Sequence, residues 1–283
     1  MSEPVLQGKV AIVTGAGSPI GLGRAMTLAL VRAGARVAML DFNPETLAAT
    51  AAEMRAVGGP DCVLPILTDV SDPAACEAAV QRTIAELGGL HVLVNNAGTV
   101  PRNLGYAAGN AQPFWELNPE AWAKVVAINL SGNFYMARAV APHLIAQGWG
   151  RIVGVTTSLD TMYRRGQAPY GPAKAGHEAF IALMAQDLEG TGVTANVLTP
   201  GGASNTNLLP ANMPNRERLI APEVMQAPVV WLASDASDGF SGQRIVGYFW
   251  DEALPLEQRL AKAAAAAAWP QLGRQAVVPA PTF

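Results

Sequence analysis

Seven short apolar runs, each followed by a longer amphipathic stretch, set the pattern of this chain: Val10 to Val13, Arg36 to Leu40, Val63 to Leu67, His91 to Val94, Arg151 to Val155, Val193 to Leu198 and Arg244 to Phe249. Runs this short and this apolar suit strands covered on both faces, and the stretches between them are long enough for the crossover helices that parallel strands require. The alternation predicts a doubly wound α/β fold with a mainly parallel seven-stranded sheet and helices on both faces. Pro65 cannot donate to a ladder, which pushes the third run toward a sheet edge. Asn118-Pro119-Glu120 supplies an N-cap, a first-turn proline and a first-turn acid for a long helix toward Gln147, with Asn129 near its middle.

A chain of 283 residues, half of them apolar, can bury one large core. No linker or internal repeat divides it, so residues 1–249 read as a single domain. Within that domain, residues 202–222 break the alternation and are rich in Gly, Asn and Pro, the composition of a loop or lid over a site. Residues 250–283 form an extension of different character, with Pro255 and six consecutive alanines. From Leu256 to Trp269 the composition suits a helix that Pro270 stops, and so short a helix needs a surface to pack on. The extension is expected to dock on the body and to reach a neighbouring subunit or the pocket entrance.

Charged residues make up 14% and the net charge is −3, so no basic face is offered to nucleic acid or to an anionic membrane. The start of the chain lacks a basic and apolar leader and no apolar run is long enough to span a bilayer, so the expected location is the cytoplasm. Cys62 and Cys76 form no CxxC and only three histidines accompany them, which suggests neither a disulfide framework nor a metal site. Redox chemistry would need an organic cofactor.

Two constellations carry chemistry. The first run leads into Thr14-Gly15-Ala16-Gly17-Ser18-Pro19-Ile20-Gly21-Leu22-Gly23 and then a helical segment, a context in which backbone amides can close on a pyrophosphate at a helix N-terminus. Asp41 follows the second run, at the distance expected of an acid that hydrogen-bonds an adenosine ribose, where its charge would repel a 2′-phosphate; it also suits a cap for the turn into Asn43-Pro44. Tyr170 and Lys174 stand one helical turn apart and share a face, so the cation can favour the phenolate and bring it toward acid/base work.

With these motifs in this order, the chain resembles the short-chain dehydrogenase/reductase family over about residues 8 to 247. The family's T-G-x-x-x-G-x-G matches Thr14, Gly15 and Gly21 and finds Pro19 at its middle glycine. Its N-N-A-G stands as Asn95-Asn96-Ala97-Gly98, its D-V as Asp69-Val70, and its P-G as Pro200-Gly201. The resemblance implies a Rossmann-type fold binding NAD, with contacts from Gly15, Gly17, Ser18, Ile20, Gly21, Asp41, Asp69, Val70, Asn96, Ala97, Gly98, Tyr170, Lys174, Pro200, Gly201 and Ala203. It implies Tyr170 as acid/base, Lys174 as its cation and a ribose ligand, and Asn129 as part of a proton route through a bound water. The family's catalytic serine position, thirteen residues before the tyrosine, is Thr157, with Ser158 next to it. That match implies Thr157 and keeps Ser158 as the alternative beside Tyr170 in substrate binding, since successive side chains leaving a strand point to opposite faces and the two hydroxyls would not act in the same geometry. A homotetramer, or a homodimer, is also implied.

The expected reaction is NAD-dependent interconversion of a secondary alcohol and a ketone. A 3-oxoacyl thioester reductase is the alternative enzyme, opposed by Asp41 because such enzymes usually take NADPH. A catalytically silent dinucleotide-binding regulator is the alternative of another class, hinted at by Pro19 and Thr157. His91, His143 and His177 read as surface or packing residues, Trp115, Trp122 and Trp149 as packing residues, and Arg164 and Arg165 as a solvated loop pair.

Overall fold

The computed structural model describes residues 4–106 and 112–272; Met1 to Glu3 and the end of the extension, with Pro279 and Pro281, lie outside the described residues. The chain begins with β1 (Val10–Thr14), α1 (Leu22–Arg32), β2 (Arg36–Asp41), α2 (Pro44–Gly58), β3 (Val63–Leu67), α3 (Pro73–Leu87) and β4 (Val92–Asn95). It continues with α4 (Pro119–Val126), α5 (Gly132–Ala146), β5 (Gly150–Val155), α6 (Leu159–Tyr163), α7 (Tyr170–Asp187) and β6 (Val193–Thr199). The last elements are α8 (Gln226–Leu232), β7 (Gln243–Val246), α9 (Leu256–Ala263) and β8 (Ala264–Ala266).

The strands form one sheet in the order β3-β2-β1-β4-β5-β6-β7-β8, parallel except for β8. Alternation along each strand feeds two apolar layers. Ala11 and Val13 of β1 face the layer built with α1, α2 and α8, where Met26, Leu47, Met54 and Leu232 are buried. Val10 and Ile12 face the layer built with α3, α5 and α7, where Val80, Met136, Leu144 and Ile181 are buried. Burial on both faces is why the strands read as continuous apolar runs. Three helices open alike: Asn43, Asp72 and Asn118 accept hydrogen bonds from first-turn amides of α2, α3 and α4, each with a proline at the next position.

β3, with Pro65, is the outermost strand on its side. The helix expected to run from Asn118 toward Gln147 is α4 and α5 joined by a π-helical turn, Ala127–Ser131, that contains the fully buried Asn129. Two expectations need correction. The seventh run ends as a strand at Val246, and Gly247–Phe249 turn in a 3₁₀ helix whose first residue packs under Val224. Among the described residues the sheet has eight strands, not seven, because the helix expected to reach Trp269 stops at Ala263 and the next three alanines pair antiparallel with Gln243, Arg244 and Ile245. Alanine favours helix, but β7 would otherwise leave a row of unpaired backbone groups, and that edge decides the conformation of a segment laid beside it.

Candidate active site

The order of strands reverses between β1 and β4, and the crevice above their C-terminal ends is where such a sheet binds ligands. Thr14, the last residue of β1, ties the two strands together: its Oγ1 accepts from the amides of Asn96 and Ala97, both at 2.9 Å. Asn96 Nδ2 donates to the Thr14 carbonyl at 2.8 Å and the Gly15 carbonyl at 3.2 Å. Gly15 takes the left-handed region at φ 66°, and a Cβ there would stand 3.0 Å from Ala97 Cα. A Cβ on Gly23 would run into the Gly15 carbonyl oxygen, so the start of α1 lies tight against the turn. No side chain caps α1 at Gly21 and no acid occupies its first turn, which leaves its first amides and the positive helix end to meet an anion.

Pro19 and Ile20 are exposed at the tip of the turn, and the Ile20 carbonyl accepts from Ser18 Oγ at 3.1 Å. Asp41 Oδ2 accepts from the Gly17 amide at 2.8 Å and Oδ1 from Asn43 at 3.2 Å, so the carboxylate both braces the turn and caps the next one. Asp69 is exposed and its Oδ1 is engaged by the amide and hydroxyl of Ser71, while Val70 packs against Gly132 at the start of α5. These residues fit a dinucleotide: a close-packed glycine cradle, an open helix N-terminus and a carboxylate at the end of β2.

The acid/base pair comes from α7. Lys174 is buried, and its Nζ donates to the Val155 carbonyl at 2.8 Å. A Cβ added to Gly98 would stand 3.4 Å from that Nζ and 3.5 Å from Asn129 Oδ1, so the loop after β4, the π turn and α7 converge here. The Asn129 side chain clasps Thr99, accepting from its amide at 2.7 Å and donating to its carbonyl at 2.9 Å. Its backbone carbonyl, within the π turn, accepts from Asn133 Nδ2 at 2.6 Å. Burial pushes the Tyr170 phenol up to about 12, and the nearby Thr157 hydroxyl pulls against that rise. Burial also brings the Lys174 ammonium down to about 8. Near neutral pH the pair thus stands as phenol and ammonium.

Ser158 does different work. It is the N-cap of α6, where its Oγ lies 2.8 Å from Thr161 Oγ1 and accepts from the Thr161 amide at 3.3 Å. Residues 202–220 fold over the crevice, with Ala203 and Asn205 paired to Ile220. The Asn207 amide donates to the Ile20 carbonyl at 3.1 Å, Asn103 Nδ2 donates to the Asn207 carbonyl at 3.2 Å, and Arg102 donates to the Leu208 carbonyl. A cavity of about 310 Å³ lies between the tip of the glycine turn and the base of this segment, lined by Ile20, Gly21, Arg24, Asn205 and Arg216 and not by Thr157, Tyr170 or Lys174. Pro200 anchors Tyr248 through its carbonyl at 3.1 Å, and Gly201, at φ 107°, has no room for a Cβ against Val246 and Tyr248.

Arg164 and Arg165 are exposed. His91 Nδ1 accepts from the Val10 amide at 3.0 Å, and burial holds His91 and His177 below their ordinary pKa, His177 well below. Among the described residues, no cluster of His, Cys, Asp and Glu that could hold a metal ion is present. Sequence reasoning did not single out Thr14 as the tie between strands, nor Arg102 and Asn103 as holders of the lid, nor the buried pair Glu178 and Arg244. Only the last pair left a signal, as charges set in otherwise apolar stretches.

A glycine-cradled crevice at the switch of a parallel sheet, with a half-buried tyrosine and a buried lysine one helical turn apart, defines a nicotinamide-dependent oxidoreductase. Residues 9–217 match the short chain dehydrogenase family model, and the chain belongs to that family. It is 36% identical over 193 residues to the 2-dehydro-3-deoxy-L-rhamnonate dehydrogenase (NAD(+)) of Sphingomonas sp. (strain SKA58), covering 68% of this chain and 71% of that one. It is 32% identical over 256 residues to the D-threitol dehydrogenase of Mycolicibacterium smegmatis, covering 85% and 92%. The crystal structure of a dehydrogenase/reductase from Sinorhizobium meliloti 1021 superposes with a TM-score of 0.72 at 27% identity, covering 87% of this chain and 93% of that one.

Proposed function

We propose that the protein interconverts a secondary alcohol and the matching ketone, using NAD(H) in preference to NADP(H). The observation that carries this reading is the convergence on one spot of the crevice of Lys174, buried one turn along α7 from Tyr170 with its Nζ on the Val155 carbonyl, with Asn129 and the loop at Gly98. NAD, when bound, accepts or returns the hydride. Tyr170 gives its phenolic proton to the forming alkoxide in reduction and takes it back in oxidation, and the Thr157 hydroxyl orients the reacting oxygen. Lys174 supplies positive charge that favours the phenolate, and Asn129 holds Thr99 and the π turn so that its carbonyl faces a proton route. Asp41 supports NAD because a carboxylate accepts from ribose hydroxyls and repels a phosphate in their place.

The relatives' names turn the first substrate screen to polyols and sugar acids. In this reading the enzyme works in the cytoplasm as a homotetramer or homodimer; Trp122 and Phe134, exposed on α4 and α5, supply apolar surface for assembly. Among the described residues, no helix is long and apolar enough to cross a membrane. The test is a screen of polyols, hydroxy acids and cyclic alcohols with NAD and with NADP, run on the wild type and on Tyr170→Phe. The expected result is turnover with NAD, lost by about 10²-fold or more in Tyr170→Phe while NADH binding persists. NADP favoured by the wild type removes the Asp41 argument, near-normal turnover in Tyr170→Phe removes the acid/base assignment, and NAD binding without any turnover favours a regulator.

A further inference from the structure

Glu178 lies one turn beyond Lys174 on α7, fully buried, and takes no part in the chemistry above. Its Oε2 is paired with Nη1 of Arg244, on β7, and accepts from Thr156 Oγ1 at 2.8 Å. The other arm of the Arg244 fork, Nη2, donates to the Thr157 backbone carbonyl at 2.7 Å. Thr157 stands beyond Val155, the last residue that β5 pairs with β6, so no ladder holds its carbonyl. One guanidinium therefore spans a buried carboxylate and the backbone of Thr157, the residue to which the proposed function gives the substrate-orienting hydroxyl.

Burying a charged pair is a poor way to gain stability, since apolar residues of similar volume often do as well or better. An apolar pair could not hold a carbonyl by a rigid N–H fork. Burial raises the Glu178 carboxyl, against which Arg244, Thr156 and the Ala268 backbone act, so its charge depends on the groups gathered around it. Ala268 follows β8, which covers Arg244 from the outer side of the sheet through the Arg244–Ala265 register.

We propose that Arg244 and Glu178 are positioning residues for Thr157: Glu178 orients the Arg244 fork, and the fork fixes the Thr157 backbone so that its hydroxyl meets Tyr170. The proposal rests on Thr157 being the reacting hydroxyl. Arg244→Lys tests it, because lysine keeps the charge beside Glu178 and loses the second arm.

The expected result is a fall in kcat of about tenfold or more with the NADH dissociation constant within about twofold of wild type. The pH profile of alcohol oxidation should move toward alkali, as in Thr157→Val, because a phenol that loses its threonine partner ionises later. Lys174 and His177, the other buried titratable groups on α7, are unchanged in both variants. If the fork acts through Thr157, Arg244→Lys added to Thr157→Val should cost nothing more. Wild-type kcat and pH profile in Arg244→Lys beside a crippled Thr157→Val overturns the positioning role, as does a double variant whose losses multiply. A normal Thr157→Val overturns the hydroxyl assignment itself and the proposal with it. Should Arg244→Lys fail to fold, Glu178→Gln with Arg244→Met, which strands neither charge, carries the same comparison.

Discussion

Replacing Lys174 by methionine should change how stability responds to pH, by an amount that follows from the site. The ammonium is 3% exposed and has the Val155 carbonyl as acceptor; among the described residues no carboxylate pairs with it. Burial lowers its pKa from 10.5 to about 8. Between those values the unfolded chain binds the proton more fully than the folded protein, so stability rises with pH across that window, and the penalty is complete below it. From near pH 7 to near pH 9.5 the relief is about 2 kcal/mol. Tyr170, raised from 10 to about 12, acts the other way from near pH 10 upward and is common to both proteins. Urea unfolding of wild type and Lys174→Met at the two pH values and one protein concentration isolates the lysine. The wild type should gain about 2 kcal/mol on the variant at the higher pH. Parallel pH responses would refute the reasoning, since they would mean that the ammonium is not held in a dry site.

Ser158→Ala should cost about 1 kcal/mol through the lost cap of α6 and leave kcat near wild type, whereas Thr157→Val should cripple turnover at little cost in stability; chemical denaturation and steady-state kinetics separate the two. Gly23→Ala should destabilise the fold and weaken NADH binding in fluorescence titrations, because its Cβ meets the Gly15 carbonyl at the turn. Deleting residues from Ala264 onward bares the edge of β7, and the expected outcome is a lower melting temperature with self-association seen by light scattering.

The fold was readable because its strands are short apolar runs covered on both faces and because Asn-Pro and Asp-Pro caps mark helix starts. The eighth strand was not readable: the alanines of residues 264–266 have no strand preference, and the open edge of β7 that holds them belongs to tertiary structure. The π turn at Ala127–Ser131 adds one residue to a single helical turn, a local change that the composition of this stretch does not mark, so the asparagine was legible but the turn that holds it was not. The match to the family's serine position pointed to Thr157. Why Ser158 is engaged elsewhere required knowing that α6 begins one residue later. Asp41 was legible as a turn cap, whereas its hold on the Gly17 amide depends on β2 lying beside β1.

Both rims of the sheet are closed to strangers. At one, β3 presents Pro65, which has no proton to offer an incoming strand; at the other, the chain's own last described strand has already taken the place beside β7. A strand of three alanines is too short to template another. Copies of this chain are thereby barred from joining sheet to sheet into an open-ended ribbon. Among the described residues, this turns association toward helical faces, where side chains rather than backbone choose the partner and a closed assembly can stop growing.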